Sequence, residues 1–267
     1  MSGESNAVVT TDLEGDGDAD LLIGNVGQDE ALLNNGSGRF TVESATRLGP
    51  DSSRTQDLEL GDVDGDGDLD LVQANEDGNR LLLNDGQGRF SAAHPEALPA
   101  APDGEETREA QLADLDNDGH LDLYLANVRF AMQRPAQDRL LRNDGQGRFE
   151  DITAAALSPE SLNTVGAAFL DLDGNGALDL LRTHAFGGGT EVLINDGQGR
   201  FRDATATYLP GGTDGDGIDI LVDDLSGDGV PDLYLCHYRS VDRLWLGESR
   251  QRDGAASTRL WLPWGCR

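Results

Sequence analysis

Five acidic runs hold the chemistry of this chain: Asp12-Leu-Glu-Gly-Asp-Gly-Asp-Ala-Asp20, Asp62-Val-Asp-Gly-Asp-Gly-Asp-Leu-Asp70, Asp114-Leu-Asp-Asn-Asp-Gly-His-Leu-Asp122, Asp171-Leu-Asp-Gly-Asn-Gly-Ala-Leu-Asp179 and Asp224-Leu-Ser-Gly-Asp-Gly-Val-Pro-Asp232. Each puts side-chain oxygens at positions 1, 3, 5 and 9 of the run. These are Asp12, Glu14, Asp16 and Asp20; Asp62, Asp64, Asp66 and Asp70; Asp114, Asp116, Asp118 and Asp122; Asp171, Asp173, Asn175 and Asp179; Asp224, Ser226, Asp228 and Asp232. Glycine at position 6 permits a sharp turn, and the residue at position 7 (Asp18, Asp68, His120, Ala177 or Val230) is expected to offer its backbone carbonyl. So many hard oxygen donors suit calcium far better than zinc or copper. Loops two and three, with four aspartates each, should bind tightest, and loop five, with Ser226 and Pro231, weakest. The plainer alternative is a set of solvated Asp/Gly turns.

An EF-hand starts the same way but needs a Glu at position 12 and flanking helices. Position 12 is Ile23, Gln73, Leu125, Arg182 or Leu235, inside an apolar, strand-like stretch. A calcium-binding β-roll would need a nine-residue tandem period, whereas these runs begin at 12, 62, 114, 171 and 224, at intervals of 50, 52, 57 and 53 residues.

That interval is the length of one four-stranded propeller blade. Downstream of four of the runs stands a second signature, Asn-Asp-Gly-Gln-Gly-Arg-Phe at 84–90, 143–149 and 195–201, with the variant Asn-Asn-Gly-Ser-Gly-Arg-Phe at 34–40. Asn and Gly accept positive φ, so this segment predicts a tight hairpin whose Arg-Phe opens a strand. Short apolar stretches flank each acidic run, and no helical periodicity competes with them. A blade cannot bury its faces alone, so neighbours must stack. The sequence therefore predicts an all-β fold, a β-propeller of five blades with four antiparallel strands each. The chain reads as one domain over 1–267, with repeats at about 5–54, 55–106, 107–163, 164–216 and 217–267. The fifth repeat lacks the hairpin signature, so Thr258 to Trp264 must supply its outer strand; failing that, the chain is a fragment of a larger propeller.

The two signatures together resemble the FG-GAP/VCBS repeat β-propellers, which include the calcium-bearing blades of integrin α subunits and the cartilage acidic protein type. The resemblance covers residues 5 to about 248. It implies a calcium hairpin between the first and second strands on one face, and ligands on the other. Such propellers often have seven blades, and five runs depart from that number.

Composition agrees with a cation partner. The 267 residues carry 50 Asp+Glu against 20 Lys+Arg, a formal charge of −30, of which 18 acids stand at ligand positions. Up to five structural calcium ions would bring −30 to −20. Such a surplus repels phosphate backbones and anionic membranes, which argues against nucleic-acid binding. No window approaches 18 consecutive apolar residues, so membrane insertion by a helix is not expected. The start, Met1-Ser2-Gly3-Glu4, lacks the form of a signal peptide. Weak calcium sites fill outside a cytosol, so an extracellular or cell-surface location is expected, the leader being absent from this sequence. A monomer is expected.

The loops between second and third strands are the candidate ligand surface. The third, Val128 to Asp138, is the longest and carries Arg129, Phe130, Met132 and Arg134. Phe186, Tyr238 and Arg239 hold comparable places in later repeats. A polysaccharide lyase is the enzymatic rival, with His184, His237 and Tyr238 as base and acid; strand-end histidines bonding neighbouring backbone are the simpler reading. No serine elbow, phosphate loop or dinucleotide fingerprint occurs, and no catalytic residue is assigned. Asp57, Glu59, Glu109 and Asp219 fall in the inner strands, where they would hold cations, water or buried partners. Cys236 reads as a buried free thiol or as the partner of Cys266. The sequence thus predicts a calcium-loaded adhesion or binding module for a protein or glycan, or a purely structural domain of a surface protein, rather than an enzyme.

Overall fold

In the computed structural model the alternation of apolar runs and Asp/Gly turns becomes five four-stranded antiparallel sheets. The structure describes residues 4–102, 105–129, 136–159, 162–209, 215–238, 241–250 and 258–263, the side chains of 248–250 and 258–263 excepted. The first sheet comprises β1 (Ser5–Thr11), β2 (Asp20–Asn25), β3 (Glu30–Asn34) and β4 (Phe40–Val42), and the second β5 (Thr55–Gly61), β6 (Asp70–Asn75), β7 (Arg80–Asn84) and β8 (Phe90–Ala92). The third comprises β9 (Glu106–Ala113), β10 (Asp122–Val128), β11 (Arg139–Asn143) and β12 (Phe149–Asp151). The fourth has β13 (Thr164–Leu170), β14 (Asp179–His184), β15 (Gly189–Asn195) and β16 (Phe201–Asp203). The fifth has β17 (Gly217–Asp223), β18 (Asp232–His237), β19 (Arg243–Arg250) and β20 (Thr258–Pro263). Strands follow one another in sequence order within every sheet, the meander of a propeller blade. The fold is an all-β propeller of five blades. The fifth outer strand is indeed supplied by the C-terminal segment, Leu246 pairing with Leu262 and Arg250 with Thr258.

The chain divides into two compact units: Met1–Leu112 with His120–Leu125 and Leu141–Asp151, and Ala113–Gly119 with Ala126–Leu140 and Ile152–Arg267. In the first unit, Leu13, Leu22, Leu33, Leu58, Leu71, Leu82 and Phe90 form one buried cluster. Val63, Val72, Leu81, Ala110, Leu123, Leu141 and Phe149 form another. In the second unit, Leu172, Leu181, Val192, Ile194, Leu233, Leu235 and Trp245 do the same. Within its unit each cluster joins side chains from consecutive sheets, as a repeat array requires. The approach is close: a Cβ at Gly61 would lie 2.7 Å from Leu112 Cδ1 and 2.8 Å from Leu121 Cδ1, so a larger residue would have to displace both leucines.

Two features were not foreseen. Four of the sheets share a register shift near the start of their first strand, between Ser5 and Ala7, Thr55 and Asp57, Thr164 and Gly166, and Gly217 and Asp219. Such bulges increase the local twist. Single-turn helices α1 (Ser44–Arg47), α2 (Thr153–Ala156) and α3 (Thr205–Tyr208) also follow β4, β12 and β16, where no helix was expected. Four residues are too few to show a period, but each helix begins with a hydroxyl four residues after the hairpin Phe. That hydroxyl accepts the backbone N–H of the third strand, from Ala31 to Ser44, Leu140 to Thr153 and Val192 to Thr205, each at 3.0 Å.

Candidate metal centre and ligand surface

Each acidic run becomes the hairpin between the first and second strands of its blade, wound around its first aspartate. Asp12 accepts N–H bonds from Gly15, Asp16 and Gly17 at 2.8, 3.1 and 2.8 Å, and Asp224 does the same with Gly227, Asp228 and Gly229 at 2.7, 3.0 and 2.8 Å. Asp62 binds Gly65 and Gly67, and Asp171 binds Gly174 and Gly176. The amides of Gly17 and Gly229, above all, hold the Asp12 and Asp224 carboxyls below the usual carboxylate range. These bonds preorganise the turn and favour the ionised form of Asp12 and Asp224.

The remaining ligand positions then converge. Asp62, Asp64 and Asp66 each offer an oxygen, all within 4.8 Å of one another, and Asp171, Asp173 and Asp179 do likewise. Burial and the neighbouring Asp66 raise the Asp64 carboxyl, as expected where like charges share a site. Asn175 and Asp68 stand in the same turns, Ala177 N bonding Asn175 Oδ1 at 2.7 Å and Asp68 N bonding Asp66 Oδ1 at 2.9 Å. The division between the two units falls within the third hairpin. On one side Asp114 accepts from Asp118 N and Gly119 N at 3.1 and 3.0 Å, with Asp116 in the same turn; on the other Asp122 accepts from Asn143 N at 2.9 Å. In the first loop Glu14 is drawn to Arg47, 3.1 Å away, while Asp18 N bonds Asp16 Oδ1 at 2.9 Å. In the fifth, Ser226 N donates to Asp232 Oδ2 at 2.7 Å, and Val230 N to Asp228 Oδ1 at 2.9 Å.

The aspartate at position 9 has a second task the sequence did not reveal. Its two oxygens clasp two backbone segments: Asp20 takes Leu13 N and Asn34 N, Asp70 takes Val63 N and Asn84 N, and Asp179 takes Leu172 N and Asn195 N, all at 2.7 to 3.1 Å. The acidic loop is thereby fastened to the later hairpin of its own blade. Burial pushes Asp70 and Asp179 up to about 6. The side chain at position 7 points away, towards that hairpin: a Cβ on Gly36 would sit 2.5 Å from Asp18 Oδ2, on Gly86 2.6 Å from Asp68 Oδ2, and on Gly145 2.4 Å from the His120 ring. Position 7 is thus left with its carbonyl to offer. These glycines also have φ near +74°, a second reason for their type.

Two inner-strand acids serve the neighbouring blade's backbone, and two bond within their own strand. Asp57 Oδ2 accepts Ala110 N at 3.0 Å and Glu59 Oε1 accepts Leu112 N at 3.2 Å, burial pushing Glu59 up to about 7. Gln111 Nε2 donates to Glu109 Oε1 at 2.6 Å, and Asp219 accepts the N–H of Ile220.

Of the candidate ligand surface, Phe130, Met132, Arg134 and Arg239 lie outside the described residues. Arg129 N donates to Asn163 Oδ1 at 2.8 Å. Phe186 is 72% and Tyr238 53% exposed. Phe186 has φ +59°, strained for an aromatic residue. The loops carrying these two aromatics flank Asp216: Tyr238 N bonds Asp216 O at 2.8 Å, and a Cβ on Gly187 would lie 4.0 Å from Asp216 Oδ1. His184 closes β14 fully buried, Nδ1 3.1 Å from Thr164 Oγ1 and Nε2 3.4 Å from Glu191 Oε2. His237 closes β18, also buried, Nδ1 3.2 Å from Leu235 O, and burial lowers its pKa. Cys236 is a free thiol, partly exposed rather than buried; Cys266 lies outside the described residues.

A family model described as FG-GAP-like repeat matches residues 12–73, 62–125 and 128–182, together more than half of the chain. Among solved structures, a lectin of Agrocybe aegerita with specific recognition of non-reducing terminal N-acetylglucosamine is similar with TM-score 0.57 and 20% identity over 97% of this chain. The Dos1 propeller is similar with TM-score 0.54 and 12% identity over 84%. The chain spans 66% of the lectin's length and 52% of the Dos1 chain. At these identities the likeness is one of fold. No curated protein matches the chain.

Proposed function

This chain belongs to the FG-GAP-like repeat family, and we propose that it is a calcium-stabilised binding module for a glycan or protein, acting outside the cytosol, rather than an enzyme. The convergence of Asp62, Asp64 and Asp66, repeated at Asp171, Asp173 and Asp179, carries the reading. All-oxygen donors on a preformed loop fit a hard divalent cation, with Asp68, His120, Ala177 and their counterparts adding carbonyls. Calcium here would neutralise loop charge and hold the hairpin, not react. At a Kd of roughly 0.1 to 1 mM, about 1 mM calcium stabilises by roughly 0.4 to 1.4 kcal/mol per site.

Exposed Phe186 and Tyr238 on adjoining loops support ligand binding by stacking, since aromatic rings offer apolar area to a sugar face. The lectin of the same fold makes N-acetylglucosamine-terminated glycans the first ligands to screen. Thermal unfolding in excess chelator and across a calcium titration, with magnesium as control, tests the metal reading. A calcium-specific rise in Tm is expected; no shift, with no bound metal by elemental analysis, refutes it. Loss of saturable glycan binding in Phe186→Ala and Tyr238→Ala would support the ligand reading. Turnover of an acidic polysaccharide to ultraviolet-absorbing products would overturn it in favour of a lyase.

A further inference from the structure

The first acidic loop differs from the others through two residues that meet. Glu14 is the only glutamate at position 3 of a loop, where loops two, three and four have Asp64, Asp116 and Asp173 and loop five has Ser226. Arg47 stands seven places after its hairpin phenylalanine, where later repeats have Ala97, Ala156 and Tyr208. All four of these residues are buried, so the place is an interior one, and only the first repeat puts a charge in it.

Arg47 closes α1 and spreads its guanidinium over three oxygens. Nη2 lies 3.1 Å from Glu14 Oε2, Nε lies 3.2 Å from Glu43 Oε2, and Nη1 donates to Gln87 O in the hairpin of the second blade. Glutamate carries its carboxyl one methylene further from the backbone than aspartate does, which suits it to this reach. The loop shows the consequence. In loops two and four three acids offer oxygens within 4.8 Å of one another, whereas among the described residues loop one gathers no such group.

We infer that Arg47 takes the cation's place in loop one, so that this loop, unlike loops two and four, does not bind calcium. The inference rests on the calcium reading of those two loops and withdraws from it a loop that spacing alone includes. Calcium in loop one needs the Glu14 carboxylate, and Arg47, whose side chain is only 10% exposed, would then lose that partner. A largely buried guanidinium deprived of an acid is costly, and a divalent ion beside it adds like-charge repulsion. Glu14 is 35% exposed, which moderates the cost. An affinity about 30-fold below that of loop two follows. Against a Kd of roughly 0.1 to 1 mM for an unobstructed loop, this puts loop one out of reach of about 1 mM calcium. The same guanidinium fastens loop one to the hairpin of the second blade, a tie that chelator does not remove.

Two glycines report the loops separately: Gly17 N donates to Asp12 Oδ2 and Gly67 N to Asp62 Oδ2, equivalent bonds in loops one and two. Calcium is titrated into the chelator-treated, nitrogen-15-labelled chain up to about 1 mM, and both amides are followed by nuclear magnetic resonance. In wild type the Gly67 signal should move and the Gly17 signal should hold still. Arg47→Ala installs the residue that two later repeats carry there, and circular dichroism should show it folded. In that variant Gly17 should move as well, and equilibrium dialysis should find one more calcium bound per chain than in wild type. Gly17 and Gly67 moving together in wild type overturns the inference and leaves the calcium reading intact. A Gly17 that stays still in the folded variant also overturns it, because the guanidinium is then not what keeps calcium out. A still Gly67 in wild type overturns the calcium reading of loop two, and this contrast with it. The wild-type comparison decides the matter even where the variant does not fold.

Discussion

The same bond is made in two ways in the two units. In the first, Asp29 sits just before β3, takes Asn25 N at 2.8 Å and, through its other oxygen, Thr55 Oγ1 at 3.0 Å and the amide of Gln73 at 2.6 Å. In the second, Asp138 sits just before β11, takes Asn127 N at 3.0 Å, Thr164 Oγ1 at 2.7 Å and the guanidinium of Arg182 at 3.0 Å. Gln73 and Arg182 occupy the same place in their strands, and both are fully buried. The amide leaves its acid desolvated, and burial raises Asp29. The guanidinium brings a full charge inside and bonds a second acid, Glu191, 2.7 Å from Arg182 Nη2, with His184 3.4 Å from the same carboxylate. Burial would raise Glu191, but the His184 ring 3.4 Å away and the charge and bonds of Arg182 outweigh it and hold the carboxyl at about 2. One task tolerates an amide or a guanidinium at the bridging position, and each holds a second acid, Gln73 reaching Asp51 at 3.0 Å, but the buried guanidinium has more to lose.

Breaking the ionic version should have the largest effect. Arg182→Ala strands Asp138 and Glu191, and chemical denaturation should show a loss of about 3 to 5 kcal/mol; a loss below about 1 kcal/mol would put the buried pair on a par with surface ones. Glu191→Gln comes next, on the order of 2 kcal/mol at neutral pH. Because Glu191 is depressed when folded, its contribution is present above the ordinary 4.5 and lost as pH falls through about 2. The gap between wild type and this variant should therefore close in acid, and a gap independent of pH would refute the assignment. Gln73→Ala, which breaks the neutral version, should cost about 1 to 2 kcal/mol by the same measurement. If it costs as much as Arg182→Ala, the contrast between the units fails. The smallest effect has the opposite sign. Glu59, in the first unit, is raised to about 7, so its contribution is full below 4.5 and lost as pH rises through 7. Glu59→Gln should match wild type at pH 4 and exceed it at pH 8 by on the order of 1 kcal/mol. Equal melting at both values would refute it.

What was legible follows from what repeats. The acidic runs and hairpins recur with fixed internal spacing, so blades, strand order and the loop carboxylates could be read directly. The Asp29 and Asp138 networks could not, because their members come from two successive repeats and the residue types differ, Gln73 in one and Arg182 in the other. The clasp by Asp20, Asp70 and Asp179 was hidden for another reason: an aspartate at a ligand position is fully explained by a metal until its amide partners are seen. Cys236 aligned with small residues and was expected inside, yet the fifth blade leaves it partly open.

The hairpin that covers Leu13 arrives 75 positions later, at Gly88. A nascent chain emerging from the ribosome therefore displays each loop's apolar second residue until the following repeat has been made, so that synthesis always runs with one unfinished seam, moving along at the pace of translation. Proteolysis of stalled chains should find the first hairpin open when about residue 75 has emerged and shut once residue 90 is out. Equal protection at both lengths would mean a blade matures without its successor.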